Sequence, residues 1–357
     1  NLLCQQCSVG LVTNADARGC EACPFGLVPV EDESGARTCE YYPIQIGVYG
    51  PITSMSTAYL ATAIAFDLDF RKNFDTTIRD RFGPPVVPVP NLNPNLRIKL
   101  QIGTSDSNPD IGVGTNLELF QGANGRDQIV GLVGGYHSGI SMPVASLATQ
   151  YKVTQVSYAS TSPKLSNKDQ YPYFLRTVPP DSIQGAGMWR FIKYFYCNFS
   201  VPMVTFMYQQ ESYGEGLFST VSNLASEADE AFRVSPVGVK YMPVEYDVDE
   251  VHAKIQRTMG MSSKVVFLAF TPDQGRQFWP VASDEGLLSM SYQIVGSEAL
   301  PLSTGPEYLP LGYMWFSPVS RGELFAGFDN MWKAMSADDV MGASASTYYG
   351  LDKFKVS

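Results

Sequence analysis

From residue 43 onward, short apolar runs alternate with longer segments whose apolar positions recur every three or four residues. That alternation predicts parallel strands joined by crossover helices. Residues 44–49 read as a first strand and 56–70 as the helix after it, with Ser54 or Ser56 as its N-cap. A strand at 97–102, a helix at 113–121, a buried strand at 129–134, a helix at 138–151 and a strand at 153–158 complete a doubly wound half. The Pro- and Asn-rich stretch 81–95 reads as an exposed insertion. After the turn-rich 160–169, a second set is expected to open with a strand at 174–178 and a helix at 181–196. Strands at 203–208, 239–242, 265–270 and 293–295 continue it, with helices at 214–232 and 249–259, another before 293, and a last one at 325–335. The fold class is therefore α/β, two doubly wound parallel sheets forming two lobes with a cleft between them. In such sheets ligands sit at the carboxyl ends of strands.

Length and composition agree with this division. A chain of 357 residues with 45% hydrophobic content can bury cores for two or three folding units. We divide it into a cysteine-rich module at 1–42, a first lobe at 43–160, a second lobe at 161–340, and at 341–357 the start of a return to the first lobe. If the chain stops there, the first lobe lacks part of its cover and exposes apolar edges. A net charge of −10 with no Lys/Arg cluster argues against nucleic acid as a partner. No apolar run approaches the roughly 18 residues a bilayer span needs, so any membrane segment is expected outside this chain.

Five of the six cysteines, Cys4, Cys7, Cys20, Cys23 and Cys39, fall in the first 39 residues. The pattern C-x2-C-x12-C-x2-C fits either a four-thiolate zinc ribbon or a disulfide-stapled extracellular module. Zinc would leave Cys39 idle, and the segment has almost no apolar core, which favours disulfides. Asn198-Phe199-Ser200 is a glycosylation sequon and points the same way. Cys197 has no partner evident in the sequence: it is a buried thiol, or it pairs with Cys39 or with a segment outside the chain. The run Cys20-Glu-Ala-Cys23-Pro-Phe-Gly26, followed by Ser34-Gly35 and Cys39, resembles ephrin-receptor-like cysteine-rich repeats.

The strand ends carry the chemistry. In order they read Gly134-Gly-Tyr-His-Ser138, Tyr158-Ala-Ser-Thr161-Ser-Pro163-Lys-Leu-Ser166, Arg176-Thr-Val-Pro-Pro-Asp181, Glu211-Ser-Tyr213-Gly214-Glu215 and Val295-Gly-Ser-Glu298. This set resembles the ligand-binding region of metabotropic glutamate receptors and their class C relatives, a periplasmic-binding-protein-like clamp. The resemblance spans about 43–335. It implies that a ligand carboxylate meets Ser138 at a helix start, where unpaired N–H groups favour an anion. It implies further contacts from the backbone of Ala159 and the hydroxyl of Thr161, and an ammonium site built from Asp181, Tyr213 and Glu298. A carboxylate offers charge-assisted hydrogen bonds there, and a tyrosine ring a cation–π attraction of about 0.5–2 kcal/mol. Read alone, Ser138 and Asp181 would each be an ordinary helix N-cap, and 158–163 a Ser/Thr-rich turn.

Three departures from the family pattern bear on the ligand. Glu298 stands where the family usually has Asp, Tyr136-His137 replaces small residues, and no Lys or Arg occurs between Pro43 and Phe70. The last argues against an acidic ligand and for a neutral or amine-bearing one. Catalysis is not expected: His137 and Ser138 are chain neighbours that point apart, His252 reads as a solvated surface residue, and no phosphate loop, zinc-protease motif or nucleophile elbow is present. Neither cofactor nor metal is expected. The reading is an extracellular receptor region, part of a membrane protein, for which the resemblance implies pairing as a homodimer; a soluble solute-binding protein and a non-catalytic adhesion module remain open.

Overall fold

The computed structural model of the protein describes residues 11–13, 20–22, 27–31, 37–41, 43–51, 72–73, 76–85, 97–199, 203–228, 232–240, 247–300 and 309–317, with 326 and 330. The N-terminal part forms two antiparallel pairs, β1 (Leu11–Thr13) with β2 (Cys20–Ala22), and β3 (Leu27–Glu31) with β4 (Arg37–Tyr41). Cys39 on β4 is disulfide-bonded. Cys4, Cys7 and Cys23 lie outside the described residues, as does the helix expected at 56–70.

The first large sheet contains β5 (Pro43–Gly50), β6 (Arg97–Thr104), β7 (Gly131–Val133), β8 (Thr154–Ser157) and β9 (Phe174–Arg176), all parallel in the order β6-β5-β7-β8-β9. Helices α1 (Thr76–Phe82), α2 (Pro109–Gln121) and α3 (Ser138–Tyr151) accompany it. Local chemistry sets the ends of α2: the Asn108 side chain accepts from the Asp110 and Ile111 amides, Pro109 occupies the first turn, and Gly122 closes the helix at φ 67°. Tyr49, Leu119, Phe120, Leu132, Ile140 and Val144 form the core between sheet and helices.

One expectation is corrected. The strand at 174–178 was to open the second set, but β9 pairs with β8, so it is the edge of the first sheet and the change of sheet falls after Arg176. A three-residue strand carries no periodicity that names its partner; the Ser157 carbonyl, which accepts from Thr177 N at 3.0 Å, holds it in place.

The second sheet contains β10 (Met203–Gln210), β11 (Arg233–Lys240), β12 (Val265–Ala269), β13 (Gln293–Gly296) and β14 (Met314–Trp315), again parallel, in the order β11-β10-β12-β13-β14. Helices α4 (Asp181–Phe199), α5 (Ser212–Ala228), α6 (Val248–Met259) and α7 (Pro272–Asp284) cover it. The apolar run of β12 is buried on both faces, as parallel sheets require. Val266, Leu268 and Phe270 join a core with Ile255, Phe278 and Trp279, while Phe267 and Ala269 join the opposite one with Met188, Leu217 and Val221. β11 begins at Arg233, earlier than the expected 239, and includes Pro236. Proline is tolerated there because β11 is an edge strand, paired on one side only among the described residues. The helix expected at 325–335 lies outside the described residues, apart from 326 and 330.

Candidate functional site

Residues that follow β7, β8 and β9 of the first sheet, and β10, β12 and β13 of the second, line one cavity of about 470 Å³. All six candidate ligand residues meet there: Ser138, Ala159 and Thr161 from the first sheet's strand ends, and Asp181, Tyr213 and Glu298 from the other side. The volume falls within the range of small-molecule sites.

The backbone near Ser138 is held by close approach. Gly134, at φ 129°, passes so near Tyr49 that an added Cβ would lie 2.2 Å from the Tyr49 carbonyl oxygen. Gln155 secures the turn by donating to Tyr49 Oη at 2.9 Å and to the Gly134 carbonyl at 3.0 Å. Ser138 is then the first residue of α3; His137 is the cap residue and makes no side-chain cap bond. The Ser138 hydroxyl instead accepts from Ser162 N at 3.1 Å, which leaves its proton to donate. The N-cap role is thus not the one it plays.

Ser160 is turned away from the cavity, bonding Ser141 Oγ at 2.7 Å and the Gly135 and Tyr136 carbonyls at 3.2 Å. The Ala159 amide is used by Ser157 Oγ at 3.2 Å, so what Ala159 can offer a ligand is its carbonyl oxygen. Arg176 fixes the same loop by donating to the Ser160 and Ser162 carbonyls at 3.3 and 2.8 Å.

The facing wall is acidic. Asp181 is fully buried, and although its amide donates to the Thr161 carbonyl at 2.8 Å, neither carboxylate oxygen accepts a well-directed hydrogen bond. An N-cap aspartate would accept from its own helix, so Asp181 is not one. Burial, then the charge of Glu298, pushes its carboxyl well above the usual carboxylate range, against the smaller pull of the Thr161 hydroxyl and Arg176. Glu298 opens partly to the cavity yet is enclosed by protein, and burial raises its carboxyl too; its Oε2 is unpartnered. Tyr213 is positioned at the start of α5, where Glu211 Oε1 accepts from the Tyr213 and Gly214 amides at 2.8 and 3.1 Å, and its hydroxyl donates to Ser297 Oγ at 2.8 Å. Two nearby carboxyls thus both resist ionising.

Sequence reasoning missed three features. Gln184, one turn after Asp181 on α4, lines the cavity with both amide atoms buried and without a directed partner; its i+3 spacing was the available signal. The Tyr158 hydroxyl is likewise buried and unpartnered. Lastly, a polar contact joins the two sheets' flanks: Ser107 Oγ donates to Asp273 Oδ2 at 3.1 Å, and His137 Nε2 lies 3.2 Å from Ser107 Oγ and 3.6 Å from that same carboxylate oxygen. Ser107 takes the left-handed region at φ 58° to reach it. Burial acts to raise the Asp273 carboxyl, but His137, Arg276 and Ser107 outweigh it and hold it below the usual range. His252, expected on the surface, meets Glu285 at 2.5 Å and is about a third exposed.

Among the described residues no group of three or more His, Cys, Asp or Glu could hold a metal, and no helix is long and apolar enough to cross a membrane. Residues 89–314, more than half of the chain, match the receptor family ligand binding region. That match, together with two parallel sheets that present their strand ends to one cavity, gives the architecture of a periplasmic-binding-protein-like domain. The chain belongs to the receptor family ligand binding region.

Proposed function

We propose that this chain is the ligand-recognition region of a class C membrane receptor, exposed outside the cell, which takes a small amino-acid-like molecule into its cleft and signals by closing its lobes on it. The observation that carries this reading is that two unlike walls line one cavity: the hydroxyl-bearing helix start at Ser138, and the carboxyls of Asp181 and Glu298, whose ionisation burial opposes. An α-amino acid presents a carboxylate and an ammonium at fixed separation, and each wall suits one of them. The Ser138 and Thr161 hydroxyls and the positive end of α3 would receive the carboxylate. Asp181, Glu298, the Ala159 carbonyl and the Tyr213 ring would surround the ammonium.

We place the first lobe from Pro43 through Arg176 and the second from Asp181, and the Ser107–His137–Asp273 contact then spans the lobes and favours their closed arrangement. The disulfide at Cys39 and the sequon at Asn198 in the last turn of α4 support an extracellular setting. Binding rather than catalysis is supported by the latch itself: Asp273 and Ser107 share one ring nitrogen of His137, whereas a nucleophile relay needs the orienting carboxylate on the other. Calorimetric titration of the purified chain with a panel of amino acids and amines tests the proposal. Saturable binding that is lost in Ser138→Ala and Thr161→Ala is expected; a folded chain that binds none of them refutes it. If the clamp were instead an adhesion scaffold, those substitutions would leave partner binding unchanged.

A further inference from the structure

Beyond the two polar walls, the cavity has a third surface. Tyr136 and Tyr158 form one side of it, their ring centroids 6.5 Å apart, and Val178, Pro179, Ile183 and Phe316 form much of the other. Ile183, on α4, lines the cavity and is 62% exposed, so its apolar surface is available to a ligand there. Gly187, one turn further along α4, adds no side chain: among the described residues a Cβ there would meet only the edge of Phe316, at 3.7 Å. The described lining residues include no Lys or Arg.

We infer that this third surface selects, among amino acids, those with a bulky, uncharged and apolar side chain, aromatic ones foremost. The inference rests on the reading of the cavity as an amino-acid site. A distal carboxylate would be desolvated beside Asp181 and Glu298 with no Lys or Arg among the described lining residues to pair it. A distal ammonium would face aromatic and aliphatic carbon after the two acids had been satisfied by the first one. A ligand without a side chain would leave much of about 470 Å³ unfilled. An aromatic ring would bury its faces against Tyr136, Ile183 and Phe316 in the space that Gly187 leaves open. The unpartnered Tyr158 hydroxyl can accept or donate one hydrogen bond, which admits a single polar atom on the ring.

The test is a titration of the purified chain with phenylalanine, tryptophan, leucine, glycine, glutamate and lysine. Phenylalanine and tryptophan are expected to bind at least about tenfold more tightly than glycine, from the apolar area they remove from water. Glutamate and lysine are expected to bind more weakly than either. Glycine, glutamate or lysine binding as tightly as phenylalanine overturns the inference while leaving the amino-acid reading intact; no binding by any of the six removes that reading and this inference together. Gly187→Leu supplies a second measurement, since leucine is a better helix former than glycine and its side chain would occupy the third surface. It should weaken tryptophan and phenylalanine more than glycine, and an equal effect on all three, with the fold intact, counts against the assignment.

Discussion

Asp181→Asn should make the chain more stable and less able to bind. Asp181 is fully buried and its two oxygens accept no directed hydrogen bond, so the unliganded fold disfavours its charge. Burial and Glu298 raise its carboxyl well above the value of about 3.9 expected in the unfolded chain. The sign follows. As pH rises through about 4, the unfolded chain gives up this proton while the folded chain retains it, so stability falls from there up to the raised folded value. Asparagine keeps the shape and the neutral state at every pH. At pH 7 the variant should gain about 1–3 kcal/mol, a rise of several degrees in Tm, and the gain should vanish below about pH 4, where the wild-type carboxyl is neutral in both states. Ligand affinity should fall, because a charge-assisted bond to ammonium contributes about 1.5–3 kcal/mol, or roughly 10- to 100-fold. Thermal unfolding at both pH values, with calorimetry at pH 7, reads the two effects. A variant less stable than wild type at pH 7, or one that binds the amino acid equally well, would show that Asp181 is a structural residue rather than a cation receptor.

Asp273→Ala removes the carboxylate from Ser107 and His137; it should weaken ligand binding about 5- to 30-fold through about 1–2 kcal/mol of lost closure and enlarge the radius of gyration of the liganded chain in small-angle scattering. Unchanged affinity and dimensions would mean the contact is incidental to closure. Gly134→Ala, whose Cβ would stand 2.2 Å from the Tyr49 carbonyl oxygen, should cost more than about 3 kcal/mol in denaturant unfolding, and a loss under about 1 kcal/mol would contradict the close packing described.

What the sequence determined by itself is what depends on near neighbours along the chain. α3 was readable to both ends, Ser138–Tyr151, because its apolar spacing is regular and Gly134-Gly135 precedes it; the structure shows that it ends as Lys152 turns to φ 54°. The apolar run at β12 announced a strand, and the resemblance carried by the strand-end motifs named the six candidate residues, which line one cavity. Tertiary structure decided whatever depends on distant partners. β9 and β14 are too short for periodicity to assign them, and only their ladders place them in opposite sheets. Ser107 and Asp273 lie 166 residues apart and carry no shared motif, so their contact exists only once both sheets are assembled. The same holds for Asp181. Its position at a helix start suggested a cap, but the direction of its side chain, and the burial that opposes its charge, come from how α4 packs beside Glu298 and Thr161. A pattern of neighbours specifies which element forms; the desolvation that opposes a carboxyl's charge is set by everything folded around it.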